Sequence, residues 1–304
     1  MSLTAKKITK LYDKQKALNN VSFEIKTGEI VGFLGPNGAG KSTMMKIITG
    51  YISQTSGEVL VNGLNTLGNI IKIRKQIGYL PEHNPLYLNM YVREYLNFVA
   101  GVYKLGINAP ARVNRIIELT GLTLEKKKKI AALSKGYRQR LGLAAALIHD
   151  PDVLILDEPT TGLDPNQIVE IRNLISEIGK EKTIMLSTHI MQEVEAICTR
   201  VIIIDRGSIV ADNPVKQISE INKKDTQTVF VEFENQINRN EFKNINGLTE
   251  SIELSENKWA LKSLIDNDIR KNIFDFAVNK EIRILAMQKE EQSMEEIFRE
   301  VTKK

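Results

Sequence analysis

The sequence IVGFLGPNGAGKST at residues 30–43 decides the fold of this chain. Within it, Gly35–Thr43 matches the pattern G-x-x-x-x-G-K-[ST], in which glycines let the backbone turn tightly and point its N–H groups at phosphate oxygens. The apolar run Glu29–Leu34 predicts a buried strand before the loop, and Lys41–Thr49 predicts a helix that ends at Gly50. This context favours a phosphate-binding loop over a Gly-rich turn without a ligand, so we expect a nucleoside triphosphate site.

The residue types of this loop have separate predicted roles. The Lys41 ammonium would reach the β- and γ-phosphates, and the Ser42 hydroxyl would bind Mg²⁺. The N-terminus of the following helix adds partial positive charge beside the phosphates. The residues predicted to contact the nucleotide here are Gly35, Pro36, Asn37, Gly38, Ala39, Gly40, Lys41, Ser42 and Thr43.

A second motif places two carboxylates at the end of a predicted strand. Val153–Leu156 is continuously apolar and is followed by Asp157 and Glu158. A strand that ends beside the phosphates would place Asp157 on the Mg²⁺ ion, while Glu158 would point towards the γ-phosphate and polarise an attacking water. The alternative is a strand that ends in surface acids, and it is disfavoured because PTTGLD follows directly at residues 159–164.

Composition places the chain among ordinary globular proteins. It has 304 residues, enough for two domains, of which 42% are apolar and 26% charged. The N-terminal sequence MSLTAKKITK lacks the apolar core of a signal peptide, and no apolar run approaches the ~20 residues that cross a bilayer. A single cysteine excludes an internal disulfide and is typical of a reducing cytoplasm, while the net charge of +5 specifies neither nucleic acid nor a membrane surface.

The alternation of strands and helices predicts a parallel α/β core with an antiparallel edge. Helix, strand and helix alternate from Ser134 to Cys198, and the core strands are short and apolar, as in a sheet covered on both faces. Val92–Tyr103 has helical spacing. The predicted strands outside the loop are Leu3–Leu11, Lys16–Lys26, Gly57–Val61, Val153–Leu156, Thr183–Ser187 and Val201–Ile204.

A polar stretch at Pro214–Lys224 predicts a boundary between a first domain at residues 1–218 and a second at 219–304. The second domain has the order strand, short helix, strand, strand, helix, strand, which is the α+β order of ferredoxin-like domains. It ends in a predicted helix, Ser293–Val301, and has no Gly-rich loop, metal-ligand cluster or acid–base pair. We therefore expect a regulatory or accessory role for it.

Six motifs in order give residues 1 to about 220 a resemblance to the ATP-binding cassette (ABC) ATPases. Tyr12 stands where the family stacks an aromatic ring on adenine. The signature position reads LSKGYRQR, which is LSGGQxQR in its usual form. The other matching segments are the P-loop at 35–43, the Walker B segment LDEP at 156–159, the D-loop GLD at 162–164 and STH at 187–189, which contains the switch histidine.

This resemblance implies ATP and Mg²⁺ as cofactors and a P-loop NTPase core with an antiparallel β subdomain and a helical subdomain. ATP would lie between two cassettes, where Ser134, Gly136 and Asp164 of one face the P-loop of the other. His189 would hydrogen-bond the γ-phosphate and sense its loss. One P-loop per chain then implies a homodimer or a paired second cassette. The resemblance also implies a separate integral membrane permease, a cytoplasmic location on the inner face of the cell membrane, and no nucleic acid partner.

Departures from the family pattern narrow the resemblance. Lys135 replaces a signature glycine and Tyr137 replaces the usual glutamine, while Glu82 stands where the family has a Mg²⁺-linked glutamine. Glu82 would offer the metal an oxygen but add a negative charge. These substitutions, together with the C-terminal domain, are similar to the ABC-2 type exporter subfamily. Within it the chain is similar to the gliding-motility ATP-binding subunits of Bacteroidetes-like bacteria.

Two further features have more than one interpretation. His149 ends a predicted helix, where we expect a cation that stabilises the helix dipole rather than a metal ligand. A stripe of aromatic side chains at helical spacing fits core packing or, by resemblance, contact with the permease. It comprises Tyr87, Tyr91, Tyr95, Phe98 and Tyr103.

The function that these features predict is an ATPase subunit that energises export. An alternative is a soluble ABC ATPase that acts on ribosomes or nucleic acid, but such proteins usually carry two cassettes or a long coiled-coil insertion. A P-loop phosphotransferase is disfavoured, because a kinase has no use for a signature helix or a switch histidine.

Overall fold

The structure is a computed structural model that describes residues 2–217, 226–264 and 267–289. The chain divides into two compact units, Met1–Lys216 and Gln217–Lys304. The predicted helix Ser293–Val301 lies outside the described residues.

Strands and helices alternate along the first unit after an N-terminal pair of strands. Its strands are β1 (Leu3–Tyr12), β2 (Gln15–Ile25), β3 (Ile30–Leu34), β4 (Ser56–Val61), β5 (Leu64–Asn65), β6 (Ile77–Leu80), β7 (Val153–Asp157), β8 (Thr183–Thr188), β9 (Arg200–Asp205) and β10 (Ser208–Pro214). Its helices are α1 (Lys41–Ile48), α2 (Ile70–Arg74), α3 (Val92–Val102), α4 (Ala109–Leu119), α5 (Lys135–Leu147), α6 (Pro165–Gly179) and α7 (Met191–Ile197).

A six-stranded sheet forms the centre of this unit, in the order β10–β9–β3–β8–β7–β6. Five of its strands pair in parallel, and β10 pairs antiparallel with β9. Every residue of β3, β7 and β8 is buried, as expected for apolar strands covered on both faces. The predicted parallel core is confirmed, and its antiparallel edge is formed by β10, which is not among the strands predicted from the sequence.

The N-terminal strands form a separate antiparallel sheet in the order β2–β1–β4–β5. Its apolar side chains, including Leu3, Ile8 and Val59, share one buried core with Phe33 of β3 and Met44 of α1. The antiparallel subdomain therefore packs directly on the strand and the helix that flank the P-loop.

Helices α3, α4 and α5 follow β6 and precede β7 along the chain, and they contact one another. This confirms the expected helical subdomain. Within the described ranges, no helix combines the length and the apolar character that crossing a membrane requires.

The second unit has the predicted α+β order. Its elements are β11 (Thr226–Phe233), a 3₁₀ helix (Arg239–Asn244), β12 (Leu248–Ser255), β13 (Lys258–Leu264), α8 (Arg270–Asn279) and β14 (Ile284–Lys289). The sheet order β12–β13–β11–β14 is antiparallel throughout, which is the ferredoxin-like arrangement. Val229, Val231 and Phe233 all face its buried core. In this core the ring centroids of Phe242 and Trp259 are 4.7 Å apart.

Candidate nucleotide-binding site

Three neighbouring strands bring the predicted site together. β3, β8 and β7 lie side by side and run in parallel, so their carboxyl ends meet at one edge of the sheet. The P-loop follows β3, His189 follows β8, and Asp157 and Glu158 lie at the end of β7. In open α/β sheets this edge is where ligands bind.

Glycine is required at two positions of the P-loop for reasons of space. A Cβ atom on Gly35 would lie 2.3 Å from the carbonyl oxygen of Ile204, and one on Gly40 would lie 2.6 Å from that of Ala17. Gly40 also has a φ of 110°, in the left-handed region that favours glycine. The loop therefore packs closely against β9 and β2 before α1 begins.

The Lys41 side chain is held inside the loop that it belongs to. Its Nζ atom donates to the carbonyl oxygens of Gly35 at 2.8 Å and Pro36 at 3.3 Å. The same atom lies 3.4 Å from Oε1 of Glu158, and these two side chains are only 6% and 8% exposed. A buried ammonium thus lies at the N-terminus of α1, where an anion is stabilised by the helix as well.

Ser42 and Asp157 meet in a way that suits magnesium. The Ser42 hydroxyl donates to Oδ1 of Asp157 at 3.1 Å, and the buried Ser187 hydroxyl donates to the same oxygen at 2.6 Å. Mg²⁺ usually takes one or two carboxylates together with substrate phosphates rather than a complete protein cage. The adjacent hydroxyl and carboxylate fit that chemistry.

Glu158 occupies a tight backbone turn at the end of β7. Its φ of 49° is uncommon for a residue other than glycine, and its N–H donates to the Ser187 hydroxyl at 2.9 Å. Its Oε2 atom lies 2.8 Å from Nδ1 of His189 and accepts a hydrogen bond from Thr161 at 3.3 Å. The turn therefore aims the carboxylate at both the P-loop and the histidine.

A cleft of about 670 Å³ lies beside these groups, although Asp157 is not among its described lining residues. P-loop residues, Glu158 and His189 line it together. Thr161 also lines it and belongs to the PTTGLD segment noted in the sequence. Five more lining residues belong to none of the motifs. They lie at the start of β2 and in the turn after β9. These are Gln15, Lys16, Ala17, Arg206 and Gly207.

Two predicted residues lie at or beyond the margin of this cleft. Glu82 is exposed and lines the same cleft as the P-loop. Tyr12 is 45% exposed at the end of β1, with the Lys10 ammonium 5.1 Å from its ring centre. Among the described residues that line the cleft, Tyr12 is absent.

The signature and D-loop residues lie apart from the cleft and cap helices instead. The Ser134 hydroxyl accepts the N–H of Tyr137 at 3.4 Å at the start of α5, and the Asp164 carboxylate accepts that of Gln167 at 2.9 Å at the start of α6. A Cβ atom on Gly136 would lie 2.7 Å from the Gln167 side chain, so these two helix starts pack together. Neither start contributes to the described lining of the cleft.

The prediction that His149 caps a helix as a cation is wrong. Arg112 of α4 donates to the carbonyl oxygen of Ile148 at the end of α5 instead, at 3.0 Å. The His149 ring stacks on Tyr103 with centroids 3.8 Å apart, and its Nε2 atom bonds the carbonyl oxygen of Ile77 at 3.1 Å. Burial lowers the pKa of His149 to about 4, so the imidazole is neutral near pH 7.

The aromatic stripe is divided between a groove and the surface. Tyr95 and Tyr103 line a groove of about 250 Å³ beside α3 and α5. The prediction of core packing is wrong for Tyr87, Tyr91 and Phe98, because these side chains are 57%, 47% and 46% exposed. A helical period shows that side chains share a face but does not show what covers that face.

Similarity to a known transport protein decides the family. The bacitracin transport ATP-binding protein BcrA of Bacillus licheniformis is 40% identical over 219 residues, which cover 71% of this chain and 71% of that protein. The chain belongs to the ABC transporter family of ATPases. The family model described as ABC transporter matches residues 18–161 of this ABC ATPase.

A second relative reaches beyond the first unit of the ABC ATPase. The uncharacterized ABC transporter ATP-binding protein YcbN of Bacillus subtilis is 34% identical over 274 residues, covering 86% of this chain and 88% of that protein. Since the first unit ends at Lys216, this match includes part of the second unit.

A solved ABC cassette has the same core fold. The dimeric ATP-binding cassette MJ0796, in a post-hydrolysis state bound to ADP and Pi, matches with a TM-score of 0.65 and 27% identity. The match covers 70% of this ABC ATPase and 98% of that chain. The predicted P-loop NTPase core and the resemblance to the ABC ATPases are both confirmed.

Proposed function

We propose that this chain is the ATP-hydrolysing subunit of a membrane transporter and that it energises a separate permease for export. The observation that carries the proposal is the meeting of Lys41, Asp157, Glu158 and His189 at one edge of the sheet. Hydrolysis of a nucleoside triphosphate needs a cation that binds phosphate, a carboxylate that binds Mg²⁺ and a second carboxylate that activates water. Lys41, Asp157 and Glu158 are suited to these three roles.

The side chains of the cleft divide the work of hydrolysis. The backbone of Gly35–Thr43 and the Lys41 ammonium bind and orient the triphosphate. The Glu158 carboxylate accepts a proton from the attacking water as it approaches the γ-phosphate. Because Nδ1 of His189 is already bonded to Glu158, Nε2 is the atom that faces the γ-phosphate.

Ser42 and Asp157 are the residues that would hold Mg²⁺, with Glu82 as a third candidate ligand at the margin of the cleft. The ion supplies neutralisation of phosphate charge when it is bound. Ser187 holds Asp157 in place, since its hydroxyl donates to the carboxylate while it accepts the N–H of Glu158.

A complete site needs a second cassette in this proposal. Ser134, Gly136 and Asp164 lie outside the described lining of their own cleft, which supports their contact with the nucleotide of a partner. The N-terminus of α5, capped by Ser134, would meet the γ-phosphate across the interface. The similar cassette MJ0796 is dimeric, which supports the homodimer or a paired second cassette. Tyr12 remains a proposed adenine contact.

The permease is expected to meet the exposed aromatic residues of the helical subdomain. Tyr87 and Phe98 are large apolar side chains at a surface, with ring centroids 5.6 Å apart. Surface patches of this kind mark interaction sites. Binding there would hold the chain on the inner face of the cell membrane.

The proposal also covers the direction of transport and the role of the C-terminal domain. The similar protein BcrA is named for bacitracin transport, which supports a role in transport. Export and the ABC-2 type exporter subfamily are part of the proposal. We assign residues 1–218 to the ATPase and 219–304 to an accessory domain that adjusts it. The narrower likeness to gliding-motility subunits stays a prediction, and the identity of the permease will test it.

The test is to tag the chain in its native cell, solubilise the membranes gently and identify what co-purifies. We expect a stoichiometric polytopic membrane protein. Phe98→Asp should abolish the co-purification while ATP binding persists, and Val210→Asp is the matched control at a 42% exposed valine of β10. Recovery with ribosomal proteins or nucleic acid would overturn the transporter proposal in favour of a soluble ABC ATPase.

A further inference from the structure

The carboxylate of Glu193 is buried beside the cleft, and no role in the mechanism above uses it. Glu193 lies in the first turn of α7 and is only 2% exposed. Its Oε1 atom accepts a hydrogen bond from the Thr160 hydroxyl, and its Oε2 atom accepts one from the Thr188 hydroxyl at 2.5 Å. Both threonines are buried as well, at 5% and 0% exposure.

These two threonines flank the residues proposed to act on the attacking water. Thr160 follows Glu158 by two positions in the loop after β7, and Thr188 directly precedes His189 at the end of β8. The two loops come from different strands. One carboxylate therefore ties together the segments that carry the Glu158–His189 contact of 2.8 Å.

The Thr188 hydroxyl extends this connection into the backbone of the histidine loop. It accepts the N–H of Ile190 at 3.0 Å while it donates to Glu193. The backbone on both sides of His189 is thereby fixed to α7. Because hydrogen bonds are directional, such contacts set the position of the loop as well as its stability.

Packing alone gives no reason for a carboxylate at this position. A buried charge is costly unless it is hydrogen-bonded, whereas an apolar side chain of similar volume often fills such a place at equal or better stability. Both partners of Glu193 are neutral hydroxyls. The carboxylate is thus suited to accept two oriented hydrogen bonds at once.

We propose that Glu193 is a positioning residue that holds Glu158 and His189 in the relative position that hydrolysis requires. The inference rests on the proposed roles of those two residues. Positioning residues that orient catalytic groups matter because a displacement of about 1 Å can cost on the order of a hundredfold in rate.

The test compares Glu193→Met, Glu193→Gln and the control Glu195→Met, which changes an exposed glutamate of the same helix. Glu193→Met removes both acceptors, so we expect kcat to fall at least ~10-fold while the ATP affinity stays within about threefold. Glu193→Gln should restore kcat to within about threefold of wild type, because its Oε1 accepts from Thr188 and its Nε2 donates to the Thr160 oxygen. Glu195→Met should leave both values unchanged.

A merely structural role would lower stability and leave the kcat of the folded fraction intact. That result, or a Glu193→Gln variant as slow as Glu193→Met, would overturn the inference. If Glu193→Met does not fold, Thr160→Val decides, because it removes one of the two hydrogen bonds and keeps the side-chain shape. We expect it to lower kcat about threefold to tenfold without changing ATP affinity, and an unchanged kcat would overturn the inference.

Glu158→Gln in the same assay distinguishes a failure of the proposed hydrolysis mechanism from a failure of the positioning role of Glu193. If Glu158→Gln hydrolyses ATP at the wild-type rate, the proposed mechanism itself fails. If Glu158→Gln is inactive while Glu193→Met is folded and fully active, only the positioning role fails.

Discussion

The Nζ atom of Lys41 lies 3.4 Å from Oε1 of Glu158, so the proposed phosphate-binding cation and the proposed base form one buried pair. The other oxygen of the same carboxylate lies 2.8 Å from Nδ1 of His189. Glu158 thus connects the P-loop to the histidine at the end of the neighbouring strand. In the proposed mechanism, a change at Glu158 would therefore affect the surroundings of both the phosphates and the attacking water.

Replacing Glu158 with glutamine should separate hydrolysis from binding. The amide keeps the size of the side chain and a hydrogen-bonding oxygen, but it no longer takes a proton from water. We expect phosphate release to fall at least ~100-fold, since general-base catalysis contributes about 10²–10⁴-fold. The ATP affinity should be unchanged or higher, because Lys41 loses a competing carboxylate. Phosphate release, equilibrium binding and an ATP-dependent dimer in size exclusion measure these outcomes, and a wild-type rate would contradict the base assignment.

Replacing Lys41 with alanine should act on affinity instead. Hydrogen bonds to charged groups contribute about 1.5–3 kcal/mol, so the dissociation constant of ATP should rise about tenfold or more. Lys46→Ala is the matched control, because Lys46 lies on α1 as well but is exposed. Titration with a fluorescent ATP analogue measures both variants. Equal affinities for the two would remove Lys41 from the phosphate site.

The Ser42 hydroxyl should set the magnesium requirement. Ser42→Ala removes the group that donates to Asp157 at 3.1 Å, so a higher Mg²⁺ concentration should be needed for half-maximal ATP hydrolysis. Thr43→Ala removes a neighbouring hydroxyl that also lines the cleft, and it should leave the Mg²⁺ requirement near that of wild type. A Ser42→Ala variant with the wild-type Mg²⁺ dependence would show that the metal lies elsewhere.

His149 should make the stability of the first unit depend on pH. Burial lowers its pKa from 6.5 to about 4 in the folded chain, so the unfolded chain binds the proton more readily between these values. The free energy of unfolding should therefore fall as the pH is lowered through this window and be retained above it. His149→Gln keeps a donor for the carbonyl oxygen of Ile77 but has no titrating group. Its melting temperature should decline less than that of wild type between pH 7 and pH 5, and equal declines would contradict this prediction.

The grouping of the P-loop, Glu158 and His189 around one cleft could be predicted from contiguous motifs. Gly35–Thr43 and the acidic end of β7 are each read from a short run of residues, because strand, turn and ligand groups are local there. The parallel direction of the core strands is indicated by their apolar runs and the helices between them, whereas their order in the sheet comes from the structure alone. The sequence does not reveal Gly207, whose N–H bonds the carbonyl oxygen of Ala39 from the turn after β9.

Features that depend on distant partners could not be predicted. The hydrogen bond from Thr160 to Glu193 joins positions 33 residues apart, and no spacing rule connects them. The place of His149 at a helix end predicts a charged imidazole, yet burial lowers its pKa and keeps it neutral near pH 7. The exposure of Phe98 likewise depends on which surfaces the other helices cover.

The separation of Ser134 from the cleft that contains Lys41 has a genetic consequence. If each ATP site draws these two residues from different subunits, a mixed dimer of Lys41→Ala and Ser134→Asp chains holds one site with both defects and one with neither. Asp caps a helix as well as Ser does, so the second variant keeps α5 intact while placing a negative charge opposite the γ-phosphate. Two chains that are each impaired alone would then complement each other when they are produced in the same cell.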